Sequence, residues 1–459
     1  MHASTTSSVL TALALFALAL PARADTIKVK SGVAADLQAA LDAAGPGDKI
    51  TLSGGPYVGT FIVPAGKDGL TIKGKAVIDA QDGDNGFEVS SNDVTFSSLT
   101  IRHALKSGIS VPPARTLSGL TITKCTFLDC TAAAVDVTAD DAEIKTCVAD
   151  GCGSGFLVEG ARAVVGKSQV FNCEDEAFVV EGDDAQVFKN VVTTGGDDGI
   201  VVDGADSQVT DNRVTNVSGN GVQASPESAL VTGNTVEGTG AFGVFVSGSG
   251  STASKNDVQD TLAAGLVVIG DDVIVSHNSV ADTREGSAGI LVQSDADALI
   301  EDNRVEGAGG AGCALNVDGA TIEDNRAERC GLPGDAGISV NGDENVLDGN
   351  VAEDCQSTGF LLEGSGNLLQ HNVATGNGDN GYWVLGLGST ENDLDDNVAK
   401  SNHGEGLQNG GVGTLLRDNT FKKNLLDLAN ETAAGATLVD DGGNTFETGG
   451  LTDEPVIFS

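Results

Sequence analysis

The feature that most constrains this chain is a series of asparagines: Asn190, Asn212, Asn234, Asn256, Asn278, Asn303, Asn325, Asn350, Asn372, Asn397 and Asn419. Successive members are 22 or 25 residues apart, and stepping back from Asn190 the same slot holds Ser168, Cys147 and Cys125. Each slot stands between short runs of Val, Ile and Thr. A period in the low twenties built from short strands predicts a solenoid, in which each repeat buries its inner face only against its neighbours.

Two solenoids compete. A leucine-rich repeat needs a dense Leu consensus that is missing. The alternative is a parallel β-helix with three strands per coil. In "GIVVDGADSQVTDNRVTNVSGN", Gly199–Asn220, the first strand is Ile200–Asp203, the second Gln208–Asp211 and the third Val214–Val217, with a bend at Asn212. Alternation turns Ile200 and Val202 inward and Val201 and Asp203 outward. Stacked coils set each Asn above the last, where its amide can bond turn backbone and the next Asn. Composition agrees: 63 Gly, 9 Pro and only 4% aromatics suit tight turns rather than an aromatic globular core.

These repeats resemble the right-handed parallel β-helix proteins of the pectin-lyase-like superfamily. The lead-in "AADLQAALDAAGPGDKITLSGGPYVGTFIV" is similar to theirs, with Ala34–Ala44 as an amphipathic helix (Leu37, Ala40, Leu41) that caps the open end. The expected fold is all-β: a right-handed parallel β-helix solenoid of roughly sixteen coils with an N-terminal capping helix. The expected divisions are a signal peptide over 1–24, the cap and first strands over 25–68, repeats over 69–450 and a tail over 451–459. The signal peptide is read from the apolar run Val9–Leu20 followed by Ala22-Arg23-Ala24. The run is too short for a membrane span, so the protein is expected to be secreted, periplasmic or extracellular.

A net charge of -41 argues against nucleic acid and anionic membrane as partners. Eight Cys lie at 125, 130, 147, 152, 173, 313, 330 and 355, with no CxxC. Seven fall into shared slots of the coils. Candidate inter-coil disulfides are Cys125–Cys147, Cys152 with Cys130 or Cys173, and Cys330–Cys355, leaving Cys313 as a buried thiol.

The resemblance locates any active site on the outer face of the first strands. Residues read as outward there, from Leu157 through Val201 and Phe245 to Trp383, include no Lys, Arg or His. That disfavours a uronate lyase, which needs a base and a cation for the carboxylate. The Asp-Pro-His-Asp stretch of alginate epimerases is absent. Help in maturing a copper enzyme, a role of some bacterial β-helix proteins with this lead-in, is disfavoured because Cu(I) delivery favours Met, Cys and His and here the only Met is the initiator and His are sparse. One stretch is similar to the active-site order of polygalacturonase-type hydrolases: Glu176 matches the first acid, and Asp197 and Asp198 the acidic pair. Asn220 stands in the histidine position, and the Arg-Ile-Lys clamp has no counterpart. Glu159, Glu181 and Asp203 form an outward acidic ladder that could hold Ca²⁺, and no cofactor is otherwise required. Trp383 and Tyr382 are the candidate sugar-binding residues. The function expected is contact with an extracellular polysaccharide or other surface without catalysis. The alternative is a polysaccharide-acting enzyme, a polygalacturonase-like hydrolase before a lyase.

Overall fold

The computed structural model describes residues 24–447 apart from 82, 113–115, 226 and 432–434, together with the backbone of Leu451–Thr452 and Val456–Phe458. All but the last residue of the expected signal peptide lie outside that range.

Three columns of parallel strands stack along one axis as a β-helix of about nineteen coils. The count exceeds the sixteen expected because the Asn slot marks only part of the solenoid. Thr26–Val29 already pairs in register with Lys49–Leu52, and that strand with Thr71–Lys73, before any polar slot begins. In the coil used above, the strands are Ile200–Asp203, Gln208–Thr210 and Arg213–Val217. They belong to what we call the first, second and third sheets. Ile200 and Val202 are fully buried, Val201 is half-buried and Asp203 exposed, as alternation requires.

The asparagines form a continuous internal ladder. The side-chain oxygen of Asn212 accepts the backbone N–H of Asn190 at 2.9 Å and its amide at 3.1 Å. The Asn190 amide also donates to the Val165 carbonyl at 3.0 Å. The same three bonds recur at Asn212, Asn234, Asn256 and each later member. The ladder ends on Asn444, which accepts from Asn419 at 2.8 Å. It saturates amides that are at most 1% exposed, so the polar slot costs no unpaired group. The residue before each Asn sits at positive φ, from Asp418 at 50° to Gly233 at 69°. Non-glycine residues tolerate that conformation here because the Asn behind them locks the bend from inside.

Two shorter ladders were not anticipated from the Asn series. Asn345, Asn367 and Asn392 stack at the entry to the second sheet, and Asn377, Asn402 and Asn424 after the third. Between the ladders the core is Val, Ile and Leu, with aromatic stacks at Phe156–Phe178 (5.4 Å) and Phe360–Tyr382 (5.0 Å). The helix Ala34–Ala43 buries Leu37, Ala40 and Leu41 as expected. Its Gln38 bonds both the N–H and the carbonyl of Ile62 at 3.0 Å, standing in for the missing strand at that edge.

All eight cysteines are buried and free, which corrects the disulfide expectation for Cys125, Cys147, Cys130, Cys152, Cys330 and Cys355. The slots do lie in adjacent coils: Gly153 donates to the Cys130 carbonyl, and Gln356 to that of Cys330. In-register parallel strands stack the cysteines of adjacent coils, and the thiols of Cys130 and Cys152, and of Cys330 and Cys355, meet in side-chain hydrogen-bonding contact without an S–S bond. Each of the six thiols also lies within donating distance of the carbonyl two residues back in its own coil, as Cys330 does to Glu328 at 3.3 Å. Cys313 is a buried thiol, and burial pushes its pKa up.

Candidate functional site

The first sheet turns one column of side chains outward: Leu157, Val179, Val201, Gln223, Phe245, Val267, Leu291, Ala314, Ser339, Leu361, Trp383 and Gln408 are in direct register, coil upon coil. None is basic. Two residues further along each strand runs a polar column that includes the expected acidic ladder, Glu159, Glu181 and Asp203. All three are exposed, and Glu159 accepts from Thr138 Oγ1 at 3.1 Å. Among the described residues no group of three or more His, Cys, Asp or Glu is drawn together so as to hold a metal ion. The three carboxylates stand one per coil in three successive coils.

A second register slot lies just before each first strand, usually ahead of a glycine. It holds Glu176, Asp198, Asn220 and Phe242 in four successive coils, and Asn380 and Glu405 later. At three of these positions a side-chain oxygen accepts the N–H of the same slot in the next coil. Asp198 Oδ1 accepts from Asn220, Asn220 Oδ1 from Phe242 at 3.1 Å, and Asn380 Oδ1 from Glu405 at 2.8 Å. Asp198 therefore does the same structural work that Asn does elsewhere.

The sequence-derived catalytic acids thus occupy one neighbourhood. Glu176 and Asp198 share the slot one coil apart, and Asp197 precedes Asp198. Asp197 is exposed, and the other two are half-buried. The two aspartates crowd Gly219 of the next coil, where a β-carbon would stand 2.3 Å from Asp198 Oδ1 and 2.7 Å from Asp197 Oδ1. Burial raises the Asp198 pKa; the N–H bond from Asn220 opposes the shift and the Asp197 charge adds to it.

The sugar-binding pair separates. Trp383 is outward and half-buried, between Leu361 and Gln408 in the column. Tyr382 is 1% exposed, stacks on Phe360 and donates its hydroxyl to the Asn372 carbonyl at 2.7 Å. Neighbours on a strand face opposite sides, so Tyr382 is a core residue and not a ligand contact.

Three features of the face escape sequence reading. Asn380 donates its amide to Gln408 Oε1 at 2.6 Å beside Trp383, and Asn220 donates to Gln223 Oε1 at 2.9 Å. Phe242 and Phe245 stack with ring centroids 5.8 Å apart. The only signal was the recurrence of Asn-Gly ahead of a first strand, at Asn220 and Asn380, together with an outward Gln.

Residues 85–251, 242–399 and 333–448 match the family described as the right handed beta helix region. No curated protein matches the chain. Among solved structures, the A-module of a mannuronan C-5 epimerase from Azotobacter vinelandii is 15% identical, covering 94% of this chain and all (100%) of its own, with a TM-score of 0.32. A podoviral-type tailspike, the receptor-binding protein of bacteriophage Det7, is 12% identical over 65% of this chain and 73% of its own, with a TM-score of 0.35. The catalytic unit of an α-1,3-glucanase from Streptomyces thermodiastaticus is 13% identical over 93% and 69%, with a TM-score of 0.34. The chain belongs to the right-handed β-helix family.

Proposed function

We propose that this protein is an exported binder of a neutral polysaccharide, which it holds along the outer face of the first sheet without cleaving it. One observation carries the reading. Trp383 lies half-buried on an outward column without Lys, Arg or His, beside the Asn380–Gln408 amide pair. An aromatic ring offers an apolar face to a sugar ring, and amides bond its hydroxyls in either direction. The acidic column alongside and the net charge of -41 oppose an anionic glycan at this surface. Export is in keeping with the apolar leader Val9–Leu20 and the Ala22-Arg23-Ala24 cleavage pattern. No helix among the described residues is long and apolar enough to cross a membrane.

A second reading, hydrolysis, is favoured by the raised pKa of Asp198 beside Asp197, which could keep one acid protonated next to an ionised one. Both readings are tested on the mature chain with immobilised dextran, laminarin, galactomannan and xylan, following retention and new reducing ends together. The proposal expects retention of at least one polysaccharide, loss of roughly tenfold or more in affinity with Trp383→Ala, and no new ends. New reducing ends that disappear with Asp198→Asn would establish the hydrolase instead.

A further inference from the structure

A related arrangement, with the order of the aromatic and the Gln reversed along the stack, occurs earlier on the face than Trp383. At the later station, Asn380 in the pre-strand slot bonds Gln408 in the outward column, and Gln408 is the register neighbour of Trp383. At the earlier one, Asn220 in the same slot bonds Gln223 in the same column, and Gln223 is the register neighbour of Phe245. Phe242, which donates its N–H to Asn220 Oδ1 at 3.1 Å, packs its ring on Phe245 at an interplanar angle of 21°. Both phenylalanines are half-buried, as Trp383 is. Each station therefore joins one aromatic surface to one slot-Asn and column-Gln pair.

Between them the face changes character. The pre-strand slot falls to Ala264, Ala288, Ala311, Ala336 and Thr358, and the outward column carries nothing larger than Leu. Register runs Phe245, Val267, Leu291, Ala314, Ser339, Leu361, Trp383, which is six steps. At ~4.8 Å per step, the two aromatic platforms stand roughly 29 Å apart along the stack.

We infer that Phe242–Phe245 with Asn220 and Gln223 is a second glycan subsite, and that the protein binds one extended neutral polysaccharide at two stations. The inference rests on the proposed function and specifies it. The occupant is a neutral glycan because both stations pair an aromatic surface with amides and the fixed charges beside both are carboxylates: Asp197, Asp198 and Asp203 at the earlier one, and at the later one Glu431, which accepts from Gln408 Nε2 at 2.6 Å. A polymer long enough to span both stations engages the second station at high effective concentration, whereas a short oligosaccharide reaches one station at a time.

The test uses the polysaccharide retained above and the tetrasaccharide made of its repeating sugar. Titration calorimetry of wild type with the tetrasaccharide should show two sites per chain, and one site in Phe245→Ala and in Trp383→Ala. With the polymer, each single variant should lose roughly tenfold or more in affinity, because either loss removes the bivalent mode. Gln223→Ala, which leaves both rings in place, should weaken the earlier station alone and guards against a folding defect in Phe245→Ala. One site per wild-type chain, or polymer binding unchanged in both Phe245→Ala and Gln223→Ala while Trp383→Ala abolishes it, overturns the second station and leaves the proposed function standing. A wild type that retains none of the polysaccharides overturns both.

Discussion

The inside and the outside of the same coils follow opposite rules. Inside, the Asn ladder repeats with the same three bonds from Asn190 to its end at Asn444. Outside, on the first sheet, the register column passes from Leu157 through Gln223 and Phe245 to Trp383, and the slot beside it from Asp198 through Asn220, Phe242, four alanines and Thr358 to Asn380. Repetition marks what every coil needs to stack. Departures from it, clustered at two places on one face, mark what only certain coils do.

The comparison can be broken from the inside first. Asn256→Ala in mid-ladder removes the acceptor of Asn234, leaving its backbone N–H and one amide hydrogen unpaired in the core while the other keeps the Val209 carbonyl. It should cost about 4 kcal/mol, read by chemical denaturation, since each buried group left unpaired costs ~1–3 kcal/mol. A loss below about 1 kcal/mol would mean that repetition here is not structural necessity.

Next is a charged group that interrupts the regular pattern near the N-terminal end. Asp79 is 6% exposed and receives Arg102 at 2.7 and 2.9 Å and His103 at 3.1 Å. Burial alone would raise its pKa, but the bonds from Arg102 and His103 and the Gln81 N–H hold it below the usual carboxylate value. A depressed carboxylate contributes stability above its unfolded pKa, and that contribution is lost as pH falls through the folded one. Asp79→Ala should cost about 3 kcal/mol at neutral pH. The gap between wild type and variant should close as the solution is acidified below about pH 4. A gap independent of pH would remove the ionic account.

The smallest expected effect sharpens the outer side. Asp198→Asn places in that slot the residue that Asn220 and Asn380 already are, with the acceptor oxygen kept. Because the Asp198 pKa is raised, its ionised form weighs against folding at neutral pH, and the amide removes that cost. Stability should stay within about 0.5 kcal/mol of wild type or rise, with glycan retention unchanged. A fall of retention with the fold intact would make Asp198 part of the working surface.

How much of this was legible in the sequence follows the same division. The ladder was readable because a 22-residue period leaves one Asn per coil in a fixed slot, and alternation then assigned Ile200 inward and Asp203 outward. The coil count fell short where the slot is apolar, in the coils of Thr26–Val29 and Thr71–Lys73. The cysteines were placed in the right slots, but slot position does not give thiol direction. Trp383 was read outward and is, while its neighbour Tyr382 was misread because proximity in sequence along a strand means opposite faces in space. The Asn220–Gln223 and Asn380–Gln408 pairs were not visible, since the second joins residues 28 apart whose contact depends on register alone.

The central claim is that function resides on the outer face of the first sheet. Hydrogen exchange of the protein with and without the retained polysaccharide tests it directly. Added protection should appear in the peptides covering Asn220–Ala224, Phe242–Ser247 and Asn380–Val384, with the second-sheet strands such as Gln208–Thr210 and Thr252–Ser254 unchanged. Protection confined to the second or third sheet, with the first-sheet peptides unaffected, would contradict the account.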